Sequence, residues 1–330
     1  MKYRLIQLLK IVVPLIIGFG LICWIYRDMQ WSVVSNILKT DVSYSWFIAV
    51  IIFSFLGHVF RALRWQMLLN TIKPNIPFLK TLNAVFINYG VNLLLPRMGE
   101  VSRCATMSKS ESLSFPTLFG TLVGERFIDV ITVGLLTIAA VFIQYDYFAR
   151  NIDDFTHQAD DFVGLFFSFQ FYLALLLVAF SLFFIFRYLR NSRFGKKAMH
   201  LINNFWQGVL SLTRIKNLWL FVIYSICLWG CYLLQLYLCF FAFDFTSHLS
   251  LSASIVMFAM GSLAYALPVQ GAIGPWHFAI IMTMMFYGID KESAGVFALI
   301  AHAIPNLVIV VCAIYASIWF SWKRKSNHLI

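Results

Sequence analysis

Residues 93–103 read LLLPRMGEVSR, so a proline, a glycine and three charges interrupt a run that is otherwise apolar. Apolar sequence continues on both sides, and a charge held at membrane depth costs roughly 2.5–3.5 kcal/mol for Arg or Asp at a helix centre. Charges persist there when they face a protein interior or a watery cavity and have partners. The stretch is therefore read as the tip of a broken helix pair rather than as part of a straight span. Pro96 ends one helix, and Gly99 is expected to permit the tight turn into the next. A half-helix starting there would aim free N–H groups and a positive dipole end at a ligand.

Composition sets the solvent. Of 330 residues, 61% are apolar and 12% are charged, with a mean hydropathy of +0.81. A soluble domain carries about 25% charged residues. The net charge of +11 raises nucleic acid as a partner, but no reading motif is present and the bases gather on one side of the spans. Residues 187–216 hold Arg187, Arg190, Arg193, Lys196, Lys197, Arg214 and Lys216 with no acid, whereas 145–162 holds five aspartates and one arginine. The positive-inside rule places the first segment in the cytoplasm and the second outside. The basic residues at both termini are then cytoplasmic, which suits an inner (cell) membrane protein. The N-terminal apolar run ends at Arg27-Asp28 without a small-residue cleavage site, so it reads as an uncleaved first span.

Spans need about 20 apolar residues each. Six runs qualify, at about 8–26, 44–69, 115–144, 163–189, 217–243 and 293–322. Two further segments, 79–112 and 251–289, are broken in the middle. Each fits a re-entrant pair of half-helices, the first entering from the cytoplasm and the second from outside. The two breaks share the pattern LPxxG, as Leu95-Pro96-Arg97-Met98-Gly99 and Leu267-Pro268-Val269-Gln270-Gly271. Oppositely inserted broken helices that meet at the midplane build many transporter sites. The expected fold is an all-α polytopic membrane protein of six transmembrane helices plus two re-entrant hairpins in an inverted repeat. It forms one membrane domain, 1–330: a first half 1–189, a cytoplasmic interfacial linker 190–216, and a second half 217–330. In the linker Ala198, Leu201, Ile202, Phe205, Val209 and Leu212 share one helical face suited to the inner leaflet.

Three groups carry the chemistry. Arg97, Glu100 and Arg103 lie at the first hairpin tip. Glu125, Arg126 and Asp129 lie in LVGERFIDV, with Glu125 about 15 Å into its span at 1.5 Å per residue and Arg126 directed to one side. These six charges sum to zero. An ion-pair network pinning hairpin to span is one reading. A head-group binding site is preferred, because an apolar contact would pin the hairpin without desolvation cost. Arg61 and Arg64 in HVFRALRW stand near a cytoplasmic helix end, where arginines ordinarily snorkel to lipid phosphates; they are kept as candidate binding residues. In the second half the candidates are Gln270, the Gly274-Pro275-Trp276-His277 turn and His302, with Pro275 suited to a first helical turn. A lone histidine in a span, His58, His277 and His302 alike, is more often a packing residue than a proton relay. Cys227 and Cys231, four apart with no His or acid nearby, read as packing residues. With no recognisable metal, cofactor or nucleophile motif, neither a cofactor nor enzymatic activity is expected.

At these residues the chain resembles the flippase-like family that includes the transmembrane region of lysylphosphatidylglycerol synthetases. The matching pieces are RALRWQMLL at 61–69, NYGVNLLLPRMGEVSR at 88–103, GERFID at 124–129 and LPVQGAIG at 267–274, in the family's order. The resemblance implies two re-entrant hairpins and the movement of an anionic or aminoacylated phospholipid, or a related lipid, between leaflets. Two departures are visible. The sequence stops at Ile330, just after the last apolar run, which suggests a stand-alone member without the soluble aminoacyl-transferring domain. Pro275-Trp276-His277 also follows the second glycine pair, where many relatives carry an acid. The expected function is lipid translocation. Arg97, Arg103 and Arg126 would grip a phosphate, while Glu100, Glu125 and Asp129 would balance them or meet an amine. Pro96, Gly99, Pro268, Gly271 and Gly274 would shape the two breaks. The alternatives are a membrane-embedded enzyme or enzyme subunit acting on a polyprenyl or phospholipid substrate, and a non-transporting assembly partner. The expected partners are the lipid itself and a lipid-synthesising enzyme; oligomeric state is not legible.

Overall fold

The computed structural model describes residues 20–27, 29–145, 180, 193–267 and 269–326, and the described elements are helical. Most of the expected spans 8–26 and 163–189, the acidic loop 146–162, the N-terminal bases Lys2, Arg4 and Lys10, and Pro268 lie outside the described residues. The longer helices, in chain order, are α1 (Trp31–Thr40), α2 (Trp46–Asn70), α3 (Phe78–Leu94), α4 (Met98–Glu111), α5 (Phe115–Ile143), α6 (Arg193–Val209), α7 (Leu218–Phe240), α8 (Leu251–Ala264), α9 (Pro275–Phe286) and α10 (Lys291–Ser326).

Helices α2, α5, α7 and α10 are long and apolar enough to cross a membrane, and they coincide with four of the runs read from hydropathy. Their outward faces are apolar. On α10, Leu307, Val311, Ile314, Ile318 and Trp322 form one exposed stripe at helical spacing, and Phe127, Val130, Leu135 and Ile138 do the same on α5. Monomeric soluble proteins rarely expose apolar patches of that extent. Four polar side chains of α5 instead turn inward: Thr117, Thr121, Glu125 and Asp129 are buried along one edge.

Both broken segments form folded-back helix pairs. In the first, Pro96 keeps Leu95 extended (φ −133°, ψ 108°), which stops α3, and the chain reverses at Arg97 (φ 63°) before α4 begins. The left-handed turn residue is thus Arg97, not Gly99. Gly99 serves a different need, because a Cβ there would collide with the carbonyl oxygen of Asn88 where α4 folds back on α3. In the second pair, α8 ends near Ala264 and α9 starts at Pro275, in the first helical turn as its sequence suggests. Gly271 (φ 54°), Ala272 (φ 55°) and Gly274 (φ 95°) form the left-handed backbone between them, two of the three being glycines that take it without strain.

The pairs open toward opposite ends of α5. Lys73 beyond α2 and Lys80 at the start of α3 both bond Glu111 at the end of α4, closing the mouth of the first pair near the beginning of α5. Gln144, just past the other end of α5, donates to the Tyr287 hydroxyl at the end of α9 (2.5 Å). The two tips meet between these ends. Arg97 Nη2 donates to the Ala266 carbonyl (2.7 Å), and the backbone at Gly271 lies against Leu93.

Two clusters form the core. One joins α7, α8, α9 and α10 with α1, around Phe240, Phe243, Met257, Met284 and Phe297. The other joins α2, α3, α4 and α5, around Trp65, Leu68, Val85, Cys104 and Leu118. Helix α6 crosses α5 with backbone in contact, since a Cβ on Gly208 would strike the Thr117 carbonyl and one on Gly120 the Phe205 carbonyl. Its face is divided: Phe205 packs toward Phe119, while Leu201, Ile202 and Trp206 are exposed.

Candidate functional site

The charged residues meet where α2, α4 and α5 converge. Glu125 and Asp129 are four apart on α5 and so share a face, and the same spacing logic sets Arg61 beside Arg64 on α2. Arg61 Nη1 donates to Glu125 Oε1 (3.1 Å) and Asp129 Oδ2 (2.9 Å). Arg64 Nη2 donates to Glu125 Oε1 (3.0 Å) and Asp129 Oδ1 (2.7 Å). From the first hairpin, Arg103 Nη2 closes the group on Glu125 Oε2 (2.9 Å). These five residues are between 0% and 6% exposed, so the whole group is removed from solvent and lipid.

Two expectations change here. Arg61 and Arg64 do not snorkel. They turn into the protein because α5 presents two carboxylates at their height, which give each guanidinium two charge-assisted hydrogen bonds. The zero charge sum also fails for the buried group, since Arg61 and Arg64 belong to it and Arg126 and Glu100 stand at its edge. Three buried guanidiniums then face two buried carboxylates, which leaves one positive charge.

Arg126 and Glu100 form the rim. Arg126 Nη2 donates to Glu100 Oε1 (2.7 Å), and its Nη1 lies 3.7 Å from Asp129 Oδ2. The Arg126 side chain is 39% exposed, against 16% for Glu100. Arg97, more exposed still, is held to the second hairpin by its bond to Ala266 rather than by a carboxylate. Exposure thus falls stepwise from Arg97 through the Arg126–Glu100 pair to the buried group.

Several supporting residues carry no sequence signal strong enough to single out. Asn92 caps the first turn of α4, accepting from the Gly99 N–H (2.7 Å) and donating to Glu100 Oε2 (3.2 Å), so the exposed N–H groups expected at that tip are partly satisfied internally. Trp65 lies under the Arg103 guanidinium, with Cζ 3.7 Å from the ring centroid, and anchors its own Nε1–H on Thr121 (3.0 Å). Its place directly after Arg64 in RALRW was the available clue. His58 packs between Phe86, Tyr89 and Tyr232, as expected of a packing histidine.

Gln270 and His302 gather in a second group around the second break. His302 Nε2 bonds the Gly271 carbonyl (2.8 Å), and its ring lies 4.7 Å from that of His277 and 5.0 Å from Trp276. Gln270 is buried beside them in sequence. Gly271 and His302 are joined here, and the left-handed Gly271 is thereby pinned to α10. Among the described residues no group of three or more His, Cys, Asp or Glu side chains could hold a metal ion.

Compared with known families, residues 11–313 match the lysylphosphatidylglycerol synthase TM region. No curated protein and no solved structure matches the chain. The matching region includes every charged residue of the site, and the pieces at 61–69, 88–103 and 124–129 are the ones that converge on it.

Proposed function

Because the chain belongs to the lysylphosphatidylglycerol synthase transmembrane-region family, a group of multi-pass membrane proteins with a lipid-related role, we propose that it is a lipid translocase and not an enzyme. In this reading the two folded-back pairs are re-entrant hairpins related as an inverted repeat, and a phosphate-bearing lipid head group crosses between leaflets where their tips meet. The observation that carries it is the desolvated group of Arg61, Arg64, Arg103, Glu125 and Asp129, reached from the tip by way of Arg97 and Arg126. A network kept only for stability is a poor use of five buried charges, since apolar side chains of similar size would join the same helices at no desolvation cost.

The Arg126 guanidinium is free enough to exchange Glu100 for a head-group phosphate, to which it would bind bidentately. Glu100 holds that position when no lipid is present. Arg103, stacked on Trp65, lies next in line, and the buried pairs behind it keep the guanidiniums charged and fixed. The exposed apolar faces of α5 and α10 let acyl chains travel alongside. The protein would sit in the inner (cell) membrane with both termini in the cytoplasm, and α6 along the inner leaflet.

The test is reconstitution of the full chain into vesicles carrying a fluorescent phospholipid, followed by chemical quenching of the outer leaflet. Wild-type protein is expected to let the inner-leaflet signal decay. Arg126→Ala should slow that decay by about ten- to a hundredfold, since a hydrogen bond to a charged group contributes about 1.5–3 kcal/mol. Its elution and thermal midpoint should stay close to wild type, because Arg126 is partly exposed. Wild-type vesicles that quench no faster than empty ones would sink the translocase reading.

A further inference from the structure

Hydrogen-bonding capacity left over inside a site identifies what it is built to receive. Each carboxylate oxygen of the charged group already holds a donor. Glu125 Oε1 accepts from Arg61 and Arg64, and Oε2 from Arg103. Asp129 Oδ1 accepts from Arg64 and Oδ2 from Arg61. At the rim, Glu100 Oε1 accepts from Arg126 and Oε2 from Asn92. The groups left wholly unmet are on the donor side. The Nε–H groups of Arg61, Arg64 and Arg103 are buried with no partner among the described residues. Each guanidinium presents five donors and no acceptor, and an unmet buried donor is costly.

Charge points the same way. The buried group retains one net positive charge, the Arg126–Glu100 rim is neutral, and Arg97 at the tip adds a second cation. We propose that the site takes a lipid whose head group is a phosphodiester monoanion with no cationic part, and that it discriminates against aminoacylated head groups. This rests on the translocase reading only for the route of the lipid, not for its binding. An ammonium entering this group finds every carboxylate oxygen already engaged by at least one donor and meets a surplus of like charge in a desolvated setting, where that repulsion is least screened. A phosphodiester brings the acceptor oxygens and the single negative charge that the group lacks. Specificity then comes from an element unfavourable to the wrong ligand as well as from attraction to the right one.

The experiment measures binding and movement separately on the detergent-purified or vesicle-reconstituted full chain. Phosphatidylglycerol, phosphatidylethanolamine and lysyl-phosphatidylglycerol are compared by native mass spectrometry, with glycerophosphoglycerol, the deacylated phosphodiester, as the water-soluble competitor. Phosphatidylglycerol is expected to bind at least tenfold more tightly than the lysyl form, with the zwitterion between them, and Arg61→Gln should erase that preference by removing the surplus charge. If Arg61→Gln does not fold, the wild-type comparison decides alone. Equal or tighter binding of lysyl-phosphatidylglycerol overturns the proposal while leaving translocation standing if that lipid is moved. Phosphatidylglycerol bound but not moved upholds the proposal and overturns the translocase reading. Displacement by glycerophosphoglycerol at concentrations comparable to the lipid would show that the anion is soluble, and the lipid part fails. Binding of none of these probes overturns both.

Discussion

Arg97 sits at φ 63°, a backbone region that costs a residue with a Cβ roughly 1–2 kcal/mol, and it stands at the point where the two hairpin tips touch. Strain of this kind is often kept at functional positions. Arg97→Gly separates backbone from side chain. It relieves the strain and removes the bond to Ala266, two effects of about 1 kcal/mol that oppose each other. Its thermal midpoint in detergent should match wild type, that of Arg97→Ala should be lower, and both should move lipid slowly. Full transport by Arg97→Gly would strike Arg97 from the site. The proline and the charges of this segment were legible as a break from composition alone. The exchange of roles between Arg97 and Gly99 was not, because it depends on Asn88 lying against the Gly99 Cα once α4 has folded back. Arg61 and Arg64 were misread for a similar reason: their partners are 61 to 68 residues away.

At the scale of elements, α3 and α4 are held at the tip by Asn92 and at the mouth by Glu111. Burial raises the Glu111 carboxyl, but the bonds from Lys73 and Lys80 outweigh it and hold the group below the usual carboxylate range. A depressed folded-state value means that the clamp contributes fully above the ordinary unfolded value of about 4.3 and is lost as pH falls through the lower folded value. Wild type should therefore be more stable than Glu111→Gln at pH 7, and the difference in thermal midpoint should shrink as pH drops below about 4. A difference that stays constant with pH would mean that Glu111 acts by packing instead. The helix pairs themselves were readable, since Pro and Gly punctuate apolar runs too short to span. The close crossing of α6 on α5 was not, although both glycines are plain in the sequence, because nothing local pairs Gly120 with Gly208.

For the whole molecule, orientation is the open variable that charge addresses. Val42 pairs with Phe243, which puts the start of α2 and the end of α7 at one end, while Lys73, Lys80 and the α6 segment lie at the other, more basic end. With the six native cysteines replaced, a membrane-impermeant thiol reagent should label Tyr44→Cys in intact cells and reach Lys216→Cys only after permeabilisation; both positions are exposed. The reverse pattern would invert the protein and the direction assigned to each hairpin. Hydropathy and charge by themselves determined that this chain lives in lipid, where four of its spans and both breaks fall, and which charges are too deep to be incidental, because each is a property of a local window. Only the tertiary structure decided which charges pair, that the buried group keeps a positive surplus, and that the two tips touch. Those facts depend on helices brought together across 22 to 169 residues, and no local window contains both members of such a pair.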